Sequence, residues 1–377
     1  MAIHIIVGYL VTGCILAFFA GMYIYRLLRR IRIFWGADST KKSFRIWNLI
    51  LTVVLALFCL NVWSTGAMVV VHILALSLVL DILAWIIRKV QNKKEPGKLY
   101  TLGQKIYGSG LLPVAMTLIL FVYGFFNIGH PIQTHYLVQT DKQLGNYRIA
   151  LITDTHFGTI QNPKILENKI AEINKQDLDF VVLGGDIVEE KTSKEDMEKA
   201  FQILGSIKSR YGIYYVYGNH DRQSYSQKKA YTSEELKNTI EKNGITILED
   251  SYKEINGELI LVGRGDAAWG NTSGRASTKE ILKHTDKNKY LILADHQPLE
   301  SRENSKQGID MQLSGHTHAG QIWPIGIFNE ITGLNYGEYQ INGCHVIVSS
   351  GFAGWGYPVR TEGHSEYVLI DLQGKND

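Results

Sequence analysis

Residues 148–156 read Arg-Ile-Ala-Leu-Ile-Thr-Asp-Thr-His, an apolar run from Arg148 to Thr153 that breaks into Asp154-Thr155-His156. The run has the composition of a buried strand. The side chains just beyond it are of types able to ligate a metal or transfer a proton. The same order recurs downstream. Phe180–Leu183 leads into Gly184-Gly185-Asp186, Gly212–Tyr217 into Gly218-Asn219-His220-Asp221, Tyr290–Leu293 into Ala294-Asp295-His296, and Met311–Leu313 into Ser314-Gly315-His316-Thr317-His318. Amphipathic segments at 162–175, 193–209, 232–243 and 277–284 lie between several of these runs. Apolar strands alternating with such helices predict a sheet covered by helices on both faces. Sites in sheets of that kind form beyond the carboxyl ends of the strands. Further strands are expected in the 260s and 340s, and residues 268–276 and 351–358 read as Gly- and aromatic-rich loops.

Asp154, His156, Asp186, Asn219, His296, His316 and His318 therefore fall at five strand ends. One histidine after a strand is commonly structural. Seven nitrogen and oxygen ligands in that position point to metal. The donor set lacks thiolate and suits two divalent ions, Mn first, with Fe or Zn as alternatives. Two metals about 3.5–4 Å apart can clamp a phosphoester and activate water. That arrangement needs one bridging ligand, for which the Asp186 carboxylate is the right type. An extended backbone through His316-Thr317-His318 would send the two imidazoles to different ions.

The order D-x-H, G-G-D, G-N-H-D, H, G-H-T-H resembles the calcineurin-like metallophosphoesterase superfamily over roughly 146–373. The string G-H-T-H-A-G-Q-I, followed by a Gly-rich stretch with P-x-R, resembles a membrane-associated subgroup. That subgroup includes bacterial envelope phosphodiesterases and UDP-2,3-diacylglucosamine pyrophosphatase-like enzymes, and transmembrane proteins with a metallophosphoesterase domain look similar. The resemblance implies a four-layer α-β-β-α domain and hydrolysis by a metal-bound hydroxide. It implies that Asp154, His156, Asp186 and His318 hold one ion, and that Asp186, Asn219, His296 and His316 hold the other. His220 would stabilise charge or protonate the leaving oxygen, with Asp221 orienting it. Arg360 in P-V-R either grips a phosphate through its fork of donors or is a surface arginine. Gln321 is a candidate for ordering contacts around the substrate, and Asp266 is expected to close a turn. The P-x-R element continues here as T-E-G-H-S-E, a departure from the subgroup that bears on substrate specificity.

The chain before residue 130 is of another kind. Residues 1–135 carry 13 basic and 3 acidic side chains, whereas 136–377 carry 26 and 33. The formal net charge of +3 conceals that split. It argues against a single soluble globule, a disordered chain and a nucleic-acid binder. Cys14, Cys59 and Cys344 are too few for a disulfide framework or a thiolate cluster. Apolar stretches predict four membrane-spanning helices, at about 5–25, 46–63, 67–87 and 107–128. The alternative of a buried soluble bundle fits poorly, because the segments are apolar around their whole circumference. The first run lacks a basic leader and so reads as a span rather than a signal peptide. Lys and Arg crowd the segments between spans one and two and between spans three and four, which predicts that both loops are cytoplasmic and the following domain is extracytoplasmic. Asp81 in the third span either marks a function or pairs with Arg88 or Lys89, the second reading being preferred.

Together these features predict a transmembrane anchor over 1–130, a linker over 131–146 and a metallophosphoesterase domain over 147–377. The expected activity is hydrolysis of a phosphoester or pyrophosphate in a lipid or lipid-linked substrate, with the bilayer as partner. Nucleic acid is not an expected partner. Alternatives are a phosphodiesterase acting on a soluble or envelope polymer and a metal-binding sensor domain. Aromatic residues on the loops (Trp269, Trp323, Phe352, Trp355 and Tyr357) either rim the site toward the bilayer or pack as ordinary loop residues.

Overall fold

The computed structural model describes residues 3–59, 61, 64–90, 98–160, 162–267 and 274–375. The chain divides into two compact units, Met1–Val122 and Tyr123–Asp377.

The first unit is helical: α1 (Ile3–Phe34), α2 (Lys42–Cys59), α3 (Thr65–Val90), α4 (Lys98–Ser109) and the start of α5 (Leu111–Ile128). Three of these helices, α2, α3 and α5, are long and apolar enough to cross a membrane. The predicted first span falls on α1, where the side chains up to residue 17 lie outside the described residues. The predicted end of the second span at 60–63 also falls largely outside them. The fourth span begins later than predicted, because Gly110 at φ +73° separates α4 from α5 and leaves Tyr107 on α4. Asp81 is paired, but not within its own helix. Arg30 of α1 reaches its Oδ1, Tyr107 Oη donates to the same oxygen at 2.7 Å, and Tyr23 Oη donates to Oδ2 at 3.2 Å. Partners from neighbouring helices therefore replace the expected Arg88 or Lys89.

The second unit is built on two six-stranded sheets. Its strands are β1 (Ile132–Gln139), β2 (Tyr147–Ile152), β3 (Phe180–Leu183), β4 (Ile213–Tyr215), β5 (Ile245–Ile247), β6 (Ser251–Ile255), β7 (Leu259–Gly263), β8 (Tyr290–Ala294), β9 (Met311–Ser314), β10 (Gly337–Ile341), β11 (Cys344–Val348) and β12 (Glu366–Gln373). One sheet runs β1-β12-β2-β3-β4-β5 and the other β10-β11-β9-β8-β7-β6. Its helices are α6 (Pro163–Ile173), α7 (Lys194–Leu204), α8 (Ser233–Lys242), α9 (Thr278–Ile281), α10 (Ser301–Lys306) and α11 (Ile325–Thr332). The last two have no counterpart in the sequence reading.

The two-residue period of the strands decides the layering. On β2 and β3, Ile149, Leu151, Phe180 and Val182 join Leu261, Ile292 and Leu313 in the core between the sheets. Their neighbours Ala150, Ile152, Val181 and Leu183 pack outward against Leu166, Phe201 and Leu236 of α6, α7 and α8. On the far face, Ile260, Val262 and Leu293 pack with Ile281 and Leu282. Three apolar interlayers make a four-layer α-β-β-α domain. Local signals hold the helices at their starts. Asn162 accepts from Lys164 N ahead of Pro163, and Thr232 and Glu235 form a reciprocal capping box.

The stretch 131–146 is not simply a linker. Strand β1 lies in it and pairs in parallel with β12 from Ile132↔Glu366 to Gln139↔Gln373. The reason is visible on β12, which would otherwise leave its backbone unpaired at the sheet edge.

Candidate metal centre

Strands β2, β3 and β4 run parallel in one sheet, and β8 and β9 run parallel in the other. Their carboxyl ends bring six of the seven candidate ligands together as two clusters, and Asn219 follows β4 in the same sheet. Ligand atoms of Asp154, His156 and His318 lie within 4.8 Å of one another, and so do those of Asp186, His296 and His316. Ring centroids of His156 and His318 are 5.2 Å apart, and those of His296 and His316 are 5.1 Å apart.

The backbone pays locally for this convergence. Asp154, His156, Asp186, His316 and His318 all have positive φ, between 43° and 71°. Non-glycine residues hold such a conformation only where their surroundings enforce it. Here the enforcing bonds run between the loops: Asp154 N donates to Gly185 O (2.9 Å) and His316 N donates to the Asp154 carboxylate (3.1 Å). The two histidines of His316-Thr317-His318 do go to different clusters, but not by extended alternation. Thr317 is right-handed (φ −78°, ψ −19°) between two left-handed neighbours, so a tight turn parts the imidazoles. The motif glycines are required by crowding. A Cβ on Gly218 would sit 2.2 Å from Asp186 Oδ1, and one on Gly315 would sit 2.3 Å from Asp154 Oδ2.

The donor set fits a pair of divalent ions. Asn219 Oδ1, both His156 nitrogens, His296 Nε2 and His318 Nδ1 are buried with no hydrogen-bond partner among the described residues. His296 Nε2 does approach Asp186 Oδ2 to 3.2 Å, outside hydrogen-bonding geometry. Leaving such atoms unpaired in the interior is costly, and a bound cation relieves that cost. His296 Nδ1–H donates to Gly184 O at 2.8 Å, which fixes the tautomer that presents Nε2 as a ligand. Burial, with Asp186 adding the charge of a neighbouring carboxylate, keeps Asp154 above the usual carboxylate range. Burial and the neighbouring His296 push His316 down to about 4, so it stays neutral and ligand-competent.

His220 stands beside the first cluster, its ring centroid 5.6 Å from that of His156. The group that orients it is not Asp221. Its Nδ1–H donates to Glu190 Oε2 at 2.6 Å. Burial acts to lower the His220 pKa, but the Glu190 hydrogen bond and the Asp186 charge outweigh it, and the net shift is upward. The Asp221 carboxylate instead accepts backbone N–H groups from Asp186 (2.9 Å), Ile187 (2.8 Å), Val188 (3.1 Å) and Gly218 (2.6 Å). It is the staple between the β3 and β4 loops. Burial and the Asp186 charge push it up to about 6. Glu190 escaped the sequence reading, although the acidic pair Glu189-Glu190 follows Asp186 within four residues and was available as a signal.

Neither reading of Arg360 survives. Its side chain is fully buried and donates to three carbonyls: His318 O (2.7 Å), Ser350 O (2.8 Å) and Ala353 O (2.6 Å). A guanidinium so engaged is neither on the surface nor free for phosphate. Gln321 is likewise committed to protein groups. Its Nε2 donates to Tyr357 O and Val359 O, and its Oε1 accepts from Trp355 N. Asp266 accepts from Gln297 Nε2 at 2.9 Å. Among the loop aromatics, Phe352 is buried in the helix-side core, Tyr357 is buried, and Trp355 lies over His220 at 5.1 Å. Trp269 and most of its loop lie outside the described residues.

The two-sheet α/β domain with ligand clusters at its strand ends agrees with the expectation from the sequence motifs. Residues 147–320 match the calcineurin-like phosphoesterase family, and the chain carries a calcineurin-like metallophosphoesterase domain. An uncharacterized metallophosphoesterase of Helicobacter pylori J99 is 34% identical over 246 residues, 64% of this chain and 63% of that protein. One from Aquifex aeolicus is 27% identical over 64% of this chain and 92% of its own length. A Danio rerio transmembrane protein with metallophosphoesterase domain is 27% identical over 70% of this chain and 62% of that one. The chain thus spans somewhat under two thirds of the Helicobacter and Danio relatives.

Proposed function

We propose that the protein is a membrane-anchored, dinuclear-metal phosphohydrolase acting on a lipid or lipid-linked phosphoester or pyrophosphate. The observation that carries the reading is the pair of nitrogen–oxygen clusters at neighbouring strand ends, with His220 beside them. Asp154, His156, Asp186 and His318 would hold one ion, and Asp186, Asn219, His296 and His316 would hold the other. Two divalent ions bound there, Mn or else Fe or Zn, supply Lewis acidity toward a phosphoryl oxygen and toward water. His220 has Nδ1 engaged by Glu190, so Nε2 is the nitrogen left to give a proton to the leaving oxygen.

The lipid substrate and the anchor are supported by the three membrane-length helices. The reading takes α1 as a fourth span, and the basic loops between spans support an extracytoplasmic side for the phosphoesterase domain. The boundary between the units falls inside α5, so its last residues belong to the catalytic unit. Asn127 Nδ2 donates there to Arg360 O and Gly363 O. The test is to incubate detergent-purified, Mn-loaded protein with total lipid extract and follow products by mass spectrometry and free phosphate. Asp186→Ala serves as the control. Loss of a phospholipid in the wild type alone, with a drop of more than 100-fold in the variant, is expected, because ligand loss should exceed the roughly 10–100-fold effect of outer partners. Cleavage of an aryl phosphodiester with no lipid changed would sink the lipid reading and favour a soluble or polymer substrate. No hydrolysis of either kind would favour a sensor.

A further inference from the structure

Helix α11 (Ile325–Thr332) is turned inside out for a helix on a soluble surface. Of its residues only Gly326 is buried. Ile327, Phe328 and Ile331 are 51%, 63% and 77% exposed, and Ile325 is exposed as well. At 100° per residue these four share one side of the helix. Glu330 is its single charge, and both its carboxylate oxygens accept from Tyr339 Oη. Four large apolar side chains on two turns form a patch that a water-facing surface does not sustain without a cover.

The placement of α11 says what covers it. A Cβ on Gly326 would meet Ala319 O and the Glu362 carboxyl, both at 2.7 Å, so the backbone of α11 lies directly on the turn that carries His318. Gly326 N donates to Glu362 Oε2 (2.8 Å), and Trp323 N donates to Thr361 Oγ1 (3.0 Å). The same 360–363 segment is bonded on its other side to the end of α5. Arg360 N donates to Gly124 O (2.9 Å), and Asn127 Nδ2 donates to Gly363 O (2.9 Å). Those last turns of α5 expose Tyr123, Phe125 and Phe126. One short segment therefore ties an outward-facing apolar helix to the end of a membrane-length helix, within a single compact unit.

We propose that α11 is an interfacial helix whose Ile325, Ile327, Phe328 and Ile331 bed into the bilayer surface beside the end of α5. The inference rests on the membrane-anchored reading above and adds a second point of attachment. Amphipathic helices bind the headgroup–acyl boundary through their apolar side. Because α11 abuts the His318 turn, this attachment sets the metal centre at the level of the lipid headgroups, where a lipid phosphate is presented.

The experiment uses the full chain with Cys14, Cys59 and Cys344 replaced by Ala, carrying one cysteine labelled with a polarity-sensitive fluorophore. The positions are Phe328→Cys and Ile331→Cys on α11, Phe125→Cys on α5, and Tyr252→Cys on β6 as an exposed site away from both helices. Each is reconstituted into phosphatidylcholine vesicles with and without nitroxide-labelled lipid, and aryl phosphodiester turnover checks folding. Blue-shifted emission at 328 and 331, quenched by the nitroxide lipid several-fold more than at 252, is expected. Quenching at 125 with 328 and 331 matching 252 overturns the inference while leaving the anchor standing. Water-like emission at 125 as well overturns both. A blue shift at 328 that grows with protein density and is not quenched by lipid overturns it in favour of a second copy. Loss of lipid hydrolysis in the same vesicles bears on the substrate reading alone.

Discussion

Helices α2 and α3 bury Asn48, Thr52, His72 and Ser77 and turn Leu49, Val53, Leu57, Leu78, Ile82 and Ile86 outward. Strands β2 and β3 do the reverse. Every side chain from Ile149 to Ile152 and from Phe180 to Leu183 is buried in apolar layers. The same residue types thus occupy opposite positions in the two units, a difference that the proposed bilayer anchor accounts for. In water, apolar area is removed from the surface. In a bilayer the surroundings are already apolar, so close packing and polar contacts hold helices together instead. In the N-terminal unit Asn48 Nδ2 donates to Tyr25 O at 3.0 Å and Asp81 gathers Arg30, Tyr23 and Tyr107. In the second unit buried polar groups converge on the candidate metal centre, where Asn219 Oδ1, His156 and His296 Nε2 have no hydrogen-bond partner among the described residues.

The contrast can be broken at its buried charges, and the largest effect is expected at Arg360. Arg360→Leu strips partners from His318 O, Ser350 O and Ala353 O, and should lower the stability of the catalytic unit by about 3 kcal/mol, at roughly 1–3 kcal/mol per buried orphan. Thermal melts and metal content measured together should both fall. Unchanged metal content would mean that the His318 turn does not depend on this clamp. In the N-terminal unit, Asp81→Leu leaves Arg30 without its carboxylate and should cost about 2 kcal/mol. Differential scanning in detergent should register the loss while aryl phosphodiester turnover stays near wild type. A comparable fall in turnover would contradict the division of labour between the units.

A smaller effect separates chemistry from scaffold inside the site. Glu190→Gln should reduce turnover about 10-fold with little change in melting temperature, because Glu190 orients His220 while the β3 and β4 loops stay joined through Asp221. Should Glu190→Gln match wild-type turnover, the Glu190–His220 contact would lose its mechanistic role. The smallest effect belongs to the sheet edge. Asp371 accepts from Arg148 Nε at 2.7 Å and pairs with His135 Nε2 at 2.8 Å, joining β1, β12 and β2. The Arg148 hydrogen bond outweighs burial and holds this carboxyl below its ordinary value. The stabilisation, about 1 kcal/mol or less for so exposed a cluster, is therefore present above the ordinary carboxylate pKa of about 3.9 and lost as pH falls through the lowered value. Melts of Asp371→Asn should trail wild type near neutrality and meet it in acid. Parallel curves at all pH values would remove the ion pair from the account.

Much of this site was legible in the chain, and each failure has a physical cause. Strand ends are local: an apolar run followed by small and polar residues announces itself within a few positions, so β2, β3, β4, β8 and β9 are legible together with the seven candidate ligands at their ends. Strand β1 is not legible in the sequence, because IQTHYLVQ is mostly half-exposed or exposed and only β12, more than 230 residues away, pairs with it. The division of carboxylates between His220 and the β3–β4 loops escaped for a related reason. Asp221 adjoins His220 in sequence, yet the turn at the end of β4 carries its carboxyl to the backbone of Asp186, and Glu190 arrives from another loop.

The amino-acid sequence by itself determined the family of the C-terminal domain, the layered α/β architecture and the identity of the candidate ligands, because these rest on composition and short-range order. It also marked the stretches that form three membrane-length apolar helices in the front of the chain. Only the tertiary structure decided how these parts are used. It parted His316 and His318 by a turn, buried Arg360 as a clamp on carbonyls, gave Asp81 its partner from α1, and left α11 with its apolar side outward. Each of those outcomes depends on which distant backbone groups need partners and which faces remain uncovered, and that is settled only when the chain closes on itself.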